Sequence, residues 1–292
     1  MDIMTASCLC SCFMGTFYMW RKERSFVFWA VRDVRKAALN KDIYVDRNDK
    51  KVIQRRAISF SAGAIGAALY LATRMRDRQK INWTQTVKYT TLCMGSTVAL
   101  FTGPLYEIGV GAVGGVWSDL NSLTFFRDVL LCPFGEELFF RGVLLDVLRH
   151  RSATEQILIS SALFALSHSH HYFYYAATCF REQAEESVVQ RENDKDTVRA
   201  CYRGAALRLI CVHGITFTFG LLSSTYYLHV CKHSVPAISA MHMVCNAVGP
   251  PTFEFLQNEY MPKKRRIVAA VLYATGVVLW GYSLKYISSA TD

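Results

Sequence analysis

The sequence predicts an all-α, polytopic membrane protein with about eight transmembrane helices around a polar intramembrane cavity. Three observations predict it. Stretches close to the ~17–25 residues that a helix needs to cross a bilayer carry little or no charge. The 33 Lys and Arg residues, against 23 Asp and Glu, fall in short clusters at the ends of those stretches. A few ionisable side chains interrupt apolar runs, where charge is expensive and marks a cavity. The composition agrees, with 52% hydrophobic and 19% charged residues in 292. It excludes a disordered or collagen-like chain. Membrane-length spans separate the basic clusters, so they form no single nucleic-acid footprint.

The expected spans are 3–20, 57–73, 89–106, 122–148, 155–178, 205–230, 233–256 and 267–287. The first also fits a signal anchor, although no small-residue cleavage site follows it. Residues 21–56 form a basic loop in which 24–39 reads as an amphipathic surface helix. Residues 74–88 are basic as well, so the positive-inside rule conflicts with itself across 57–73 and leaves orientation open. Gly109, Gly111, Gly114 and Gly115 suit close helix packing. Residues 181–203 mix five basic with six acidic side chains and cannot sit in hydrocarbon. The chain therefore divides into N-terminal membrane helices and basic loops (1–120), a helical core (121–256) and a C-terminal transmembrane helix (257–292). The ten cysteines offer no disulfide frame and read as small apolar fillers.

Three places inside the apolar runs carry chemistry. In the first, Glu136-Glu137-Leu138-Phe139-Phe140-Arg141, Glu137 and Arg141 share a helical face and can pair. Glu136 lies about 100° round the helix, outside that pairing, and suits a general base. In the second, Phe164 and His168 share a face, with His170 and His171 close behind. In the third, His242 and Asn246 share a face and offer two hydrogen-bond donors, the makings of an oxyanion hole. Each has a plain structural reading: a buried ionic knot, a satisfied core histidine, or an interhelical polar contact. Together they supply a base, a partner imidazole and two donors. That set suits amide hydrolysis by activated water.

The series Glu136-Glu137-x-x-x-Arg141, Phe164-x-x-x-His168, His242-x-x-x-Asn246, on separate apolar helices, resembles the type II CAAX prenyl endopeptidases. These Ras-converting proteases belong to the wider CAAX-protease and bacteriocin-processing (ABI) family. His168-x-His170-His171 is similar to the eukaryotic branch, and Phe219-Gly220 adds to the likeness. The resemblance covers roughly residues 125–255. It implies an eight-helix protein of the endoplasmic reticulum membrane that removes the last three residues from farnesylated or geranylgeranylated CAAX proteins such as Ras-like small GTPases. Carried over, Glu136 and His168 activate water, His242 and Asn246 hold the oxyanion, and Glu137, Arg141 and Phe164 support the site. It also implies a glutamate-type protease with no required metal or cofactor, although such enzymes were long taken for metalloendopeptidases. The bilayer brings the prenyl chain laterally, and Phe139, Phe140, Phe164 and Tyr172 are expected along its groove.

Two other classes remain open at this point. One is a non-enzymatic membrane scaffold of the same fold, since fold does not fix function. The other is a zinc-dependent membrane hydrolase using Glu136, His168, His170 and His171. The HExxH spacing of helical zinc proteases is absent from the chain.

Overall fold

A computed structural model describes residues 2–74, 83–111, 122–186 and 195–289. The expected all-helical class holds: no strand occurs among the described residues. The helices are α1 (Asp2–Gly15), α2 (Arg21–Leu39), α3 (Lys50–Arg74), α4 (Trp83–Leu100), α5 (Thr102–Gly109), a continuous helical stretch α6 (123–147), α7 (Ala153–Ser167), α8 (His171–Glu186), α9 (Lys195–Thr225), α10 (Val235–Val248), α11 (Glu254–Gln257) and α12 (Lys263–Ser289). They form two compact units. The first comprises Met1–Gly63 and Val147–Leu222, the second Ala64–Asp146 and Ser223–Asp292. The units interleave along the chain, whereas the expected three-part division follows chain order. The expected boundary at 120/121, Gly114, Gly115 and part of 181–203 lie outside the described residues.

In the first unit α2, whose backbone breaks from helix at Asp33 (φ −158°, ψ 94°), buries Phe26 and Ala30 before the break and Val34, Ala37 and Ala38 after it. These pack with Tyr174, Ala176, Ala177 and Phe180 of α8. Ser152 starts α7 with a reciprocal capping box: Ser152 Oγ accepts from the Glu155 amide, and Glu155 Oε2 accepts from the Ser152 amide. Gly220 lies against α7, where an added Cβ would stand 2.9 Å from Ser161 Cα. A Cys179–Cys201 disulfide ties α8 to α9. This corrects the expectation that no cysteines pair. The partners lie 22 residues apart in sequence and meet only because the two helices turn back on each other.

In the second unit α10 packs against α4 and α6, and α12 against α4 and α5. Gly276 of α12 makes the closest approach, since a Cβ there would lie 2.8 Å from the Ala99 carbonyl oxygen and 2.9 Å from that of Leu100. Trp280 Nε1 donates to Tyr226 Oη at 2.8 Å. Buried Glu107 of α5 accepts from Tyr273 Oη at 2.8 Å and from the Phe255 amide at 2.9 Å, which fixes the connection after α10.

Two described helices are long and apolar enough to cross a membrane, Lys195–Val230 and Lys263–Lys285, and only 11% of each apolar window is buried. A third appears if Asp2–Tyr18 and Arg21–Leu39, bent by 112°, count as one span. The eight crossings are thus not all present as long uniform helices. The reasons are local. The stretch 122–148 carries Glu136, Glu137 and Arg141 and is interrupted by two π-helical turns, Phe126–Leu131 and Leu138–Leu144. The stretch 155–178 breaks at a tight 3₁₀ turn, His168–His170. The stretch 233–256 ends its helix at Gly249, whose φ of +83° suits glycine, before Pro250 and Pro251.

Gly276 allows a close test of this packing. Gly276→Val should lower stability in detergent by about 1–3 kcal/mol through overpacking. Gly281→Val on the same helix, with open space at its Cβ, should not. Thermal unfolding of both variants against wild type checks this.

Candidate active site

Burial forces the arrangement in the second unit. Glu137 and Arg141 side chains are both fully buried, and Arg141 Nη1 donates to Glu137 Oε1 at 3.2 Å. This is the pair that the four-residue spacing predicts. Glu137 ends the short α-helical segment Cys132–Glu137, and the second π turn begins directly after it. π-helical turns recur at functional sites.

His242 of α10 comes to the same carboxylate. Its Nδ1 lies 2.8 Å from Glu137 Oε1. A carboxylate shared with a guanidinium is acceptor-only, so Nδ1 carries the proton and donates. The opposite ring nitrogen, Nε2, then faces Glu136 Oε2 at 3.9 Å. Glu136 retains 18% side-chain exposure against 0% for Glu137. The two adjacent carboxylates therefore meet opposite edges of one imidazole. Asn246, one turn further along α10, donates from Nδ2 to the Asp128 carbonyl at 2.8 Å. The sequence suggests two donors aimed at one point. Both side chains instead spend a donor elsewhere, His242 on Glu137 and Asn246 on the α6 backbone.

Phe139 and Phe140 are buried, 5% and 1% exposed, with rings packed edge to face at 5.0 Å. In this conformation they are core residues of the second unit. The sequence expects them along a groove; here both are buried within the π turn Leu138–Leu144.

Phe164, His168 and Tyr172 belong to the first unit. Phe164 is buried and meets His168 edge to face at 5.0 Å. His168 Nδ1 donates to the Phe164 carbonyl at 2.8 Å, which leaves the lone pair at Nε2. His170 Nδ1 donates to the Ser167 carbonyl at 2.8 Å. His171 Nδ1 accepts from Arg47 Nη1 at 3.1 Å, because a guanidinium can only donate. Tyr172 is half-buried, its ring 5.6 Å from that of Phe173. Among the described residues no three His, Cys, Asp or Glu side chains converge as metal ligands. In the histidine cluster, one Nδ1 meets each of two backbone carbonyls and the third meets an arginine.

Comparison with known proteins finds a similarity over the segment that holds these residues. Residues 118–248 match the family described as "Type II CAAX prenyl endopeptidase Rce1-like". The segment 118–248 is Rce1-like. It contains every motif that carries the resemblance, from Glu136 to Asn246. The chain is also 23% identical over 249 residues to "CAAX prenyl protease 2" of Caenorhabditis elegans, covering 79% of this chain and 84% of that one. No solved structure matches.

Sequence reasoning missed the Glu137–His242 bond and the Asn246–Asp128 bond. Both cross from α6 to α10 over more than a hundred residues, and no local spacing encodes them. The Rce1-like segment makes one energetic expectation sharp. Glu137→Ala strips the buried guanidinium of its partner and should cost about 3–5 kcal/mol of stability. The double variant Glu137→Leu/Arg141→Met should regain most of that loss, because it removes both charges. Thermal melts of the single and double variants, read with near-identical expression, check the difference.

Proposed function

We propose that the protein is an intramembrane endopeptidase that removes the C-terminal aaX tripeptide from farnesylated or geranylgeranylated CAAX proteins, Ras-like small GTPases among them, in the endoplasmic reticulum membrane. In this reading the shorter and broken helices complete a bundle of about eight crossings. The observation that carries the proposal is the imidazole of His242 set between Glu137 and Glu136 inside an Rce1-like segment. Support also comes from the similarity to a CAAX prenyl protease over most of the chain.

Glu136 takes a proton from water as its oxygen attacks the scissile carbonyl carbon, and the resemblance gives His168 as its partner imidazole. The oxyanion that forms accepts hydrogen bonds from His242 Nε2, in its doubly protonated form, and from the second N–H of the Asn246 amide. The C–N bond then breaks, and the proton held by Glu136 passes to the leaving amine. Glu137 keeps the His242 ring in orientation from the Nδ1 side, much as a carboxylate holds a catalytic imidazole in hydrolytic triads. Arg141 holds Glu137, and Phe164 walls the ring of His168. The residues act without a metal or cofactor in this mechanism.

Incubating membranes with a farnesylated CAAX peptide tests the reading. Wild type should release the tripeptide. Glu136→Gln should abolish release while expression persists. Asn246→Ala should leave about 10²- to 10³-fold less activity, the loss typical of one oxyanion donor. Undiminished cleavage by Glu136→Gln would refute the base assignment.

A further inference from the structure

We infer that Tyr18, Arg47 and Arg56 form a subsite for the α-carboxylate at the C-terminus of the peptide that the enzyme cleaves. The inference rests on the endopeptidase reading and names how that substrate is recognised.

All three residues lie in the first unit, beside the histidine-rich turn that carries His168. Arg47, just before α3, reaches His171 at 3.1 Å. Arg56, within α3, donates from Nη2 to Tyr174 Oη, and its guanidinium carbon stands 5.2 Å from the centre of that ring. Tyr174 is a neutral acceptor, so this bond does not by itself balance the Arg56 charge; the buried Glu23 carboxylate, which also acts on Tyr174, pairs with Arg55. Arg56 Nε is buried with no hydrogen-bond partner among the described residues. Tyr18 Oη is a second buried atom in the same condition. It lies beside the same group: Tyr18 packs edge-on to His170 at 6.0 Å, and His170 in turn meets Tyr174 edge-on at 6.3 Å.

A buried donor without an acceptor costs ~1–3 kcal/mol, so two at one place call for an acceptor. The acceptor that also balances a guanidinium is an anionic oxygen, and a planar carboxylate matches the guanidinium fork. A CAAX peptide brings one obligatory carboxylate, at the end of its last residue. That group lies three residues from the scissile bond, or roughly 10 Å in an extended chain. Within the first unit, the His168 ring stands 5.7 Å from the His171 ring, and His171 Nδ1 stands 3.1 Å from Arg47. Arg47, Arg56, His170 and His171 are all half-buried, so the group is lined rather than sealed.

The test compares a farnesylated CAAX peptide as its free acid and as its C-terminal amide, with kcat and KM measured for each. For wild type the amide should raise KM about tenfold or more, the worth of a lost charge-assisted hydrogen bond. Arg56→Gln and Arg47→Gln should raise KM for the acid by a similar factor and leave the amide nearly unchanged. Arg56→Lys should recover part of the acid preference. Equal KM values for acid and amide with wild-type protein overturn the subsite while leaving the endopeptidase reading intact, and they would point to an anion other than the substrate, such as a lipid phosphate. This comparison uses wild type alone and does not depend on any variant folding. Cleavage of neither peptide overturns the endopeptidase reading and the subsite with it.

Discussion

Much of the second unit follows from one buried carboxylate. Glu137 has no exposed side-chain surface, and taking such a group out of water costs several kcal/mol unless charge and hydrogen bonds compensate. Arg141 comes from its own helix one turn later, and His242 from α10. The second contact decides the register of α10 against α6, because the ring must reach Oε1 with Nδ1. Once that bond is made, the orientation of Nε2 is no longer free, and it faces Glu136. The neighbouring carboxylates thus differ in environment. One is buried and doubly held; the other keeps some exposure and one distant imidazole partner.

The helix that carries these carboxylates is irregular for a related reason. Two π turns flank the short α segment ending at Glu137. Each shifts the faces of the residues after it, so that Phe139 and Phe140 turn into the core while Arg141 still reaches Glu137. Asn246 adds a tie from α10 to the Asp128 carbonyl, within the first π turn. Irregular backbone of this kind leaves carbonyls in need of donors, and a side-chain amide from a neighbouring helix supplies one.

In the first unit a different economy operates. His168 and His170 are oriented by carbonyls three or four residues back, contacts that the tight turn makes by itself. His171 depends on Arg47, which arrives from a distant loop. The disulfide between α8 and α9 and the packing of α2 against α8 hold this turn's surroundings together. Imidazoles set by local geometry and cations brought from afar give a surface whose positive charges are placed by tertiary structure.

The sequence alone determined features that live within one helical turn or one composition window. These are the helical class, the alternation of apolar runs with basic clusters, the Glu137–Arg141 pair, the shared faces of Phe164 with His168 and His242 with Asn246, and the likeness to a protease family. Backbone geometry sets those spacings before any packing occurs. The tertiary structure decided which residues meet across elements: Glu137 with His242, Asn246 with the Asp128 carbonyl, Cys179 with Cys201, and Arg56 with Tyr174. It also decided where long apolar runs break. Arg47 and Arg56 illustrate the difference, since in the sequence they are members of a basic loop like any other. Their partners lie more than a hundred residues away, and only the need to satisfy buried polar groups brings such distant side chains together.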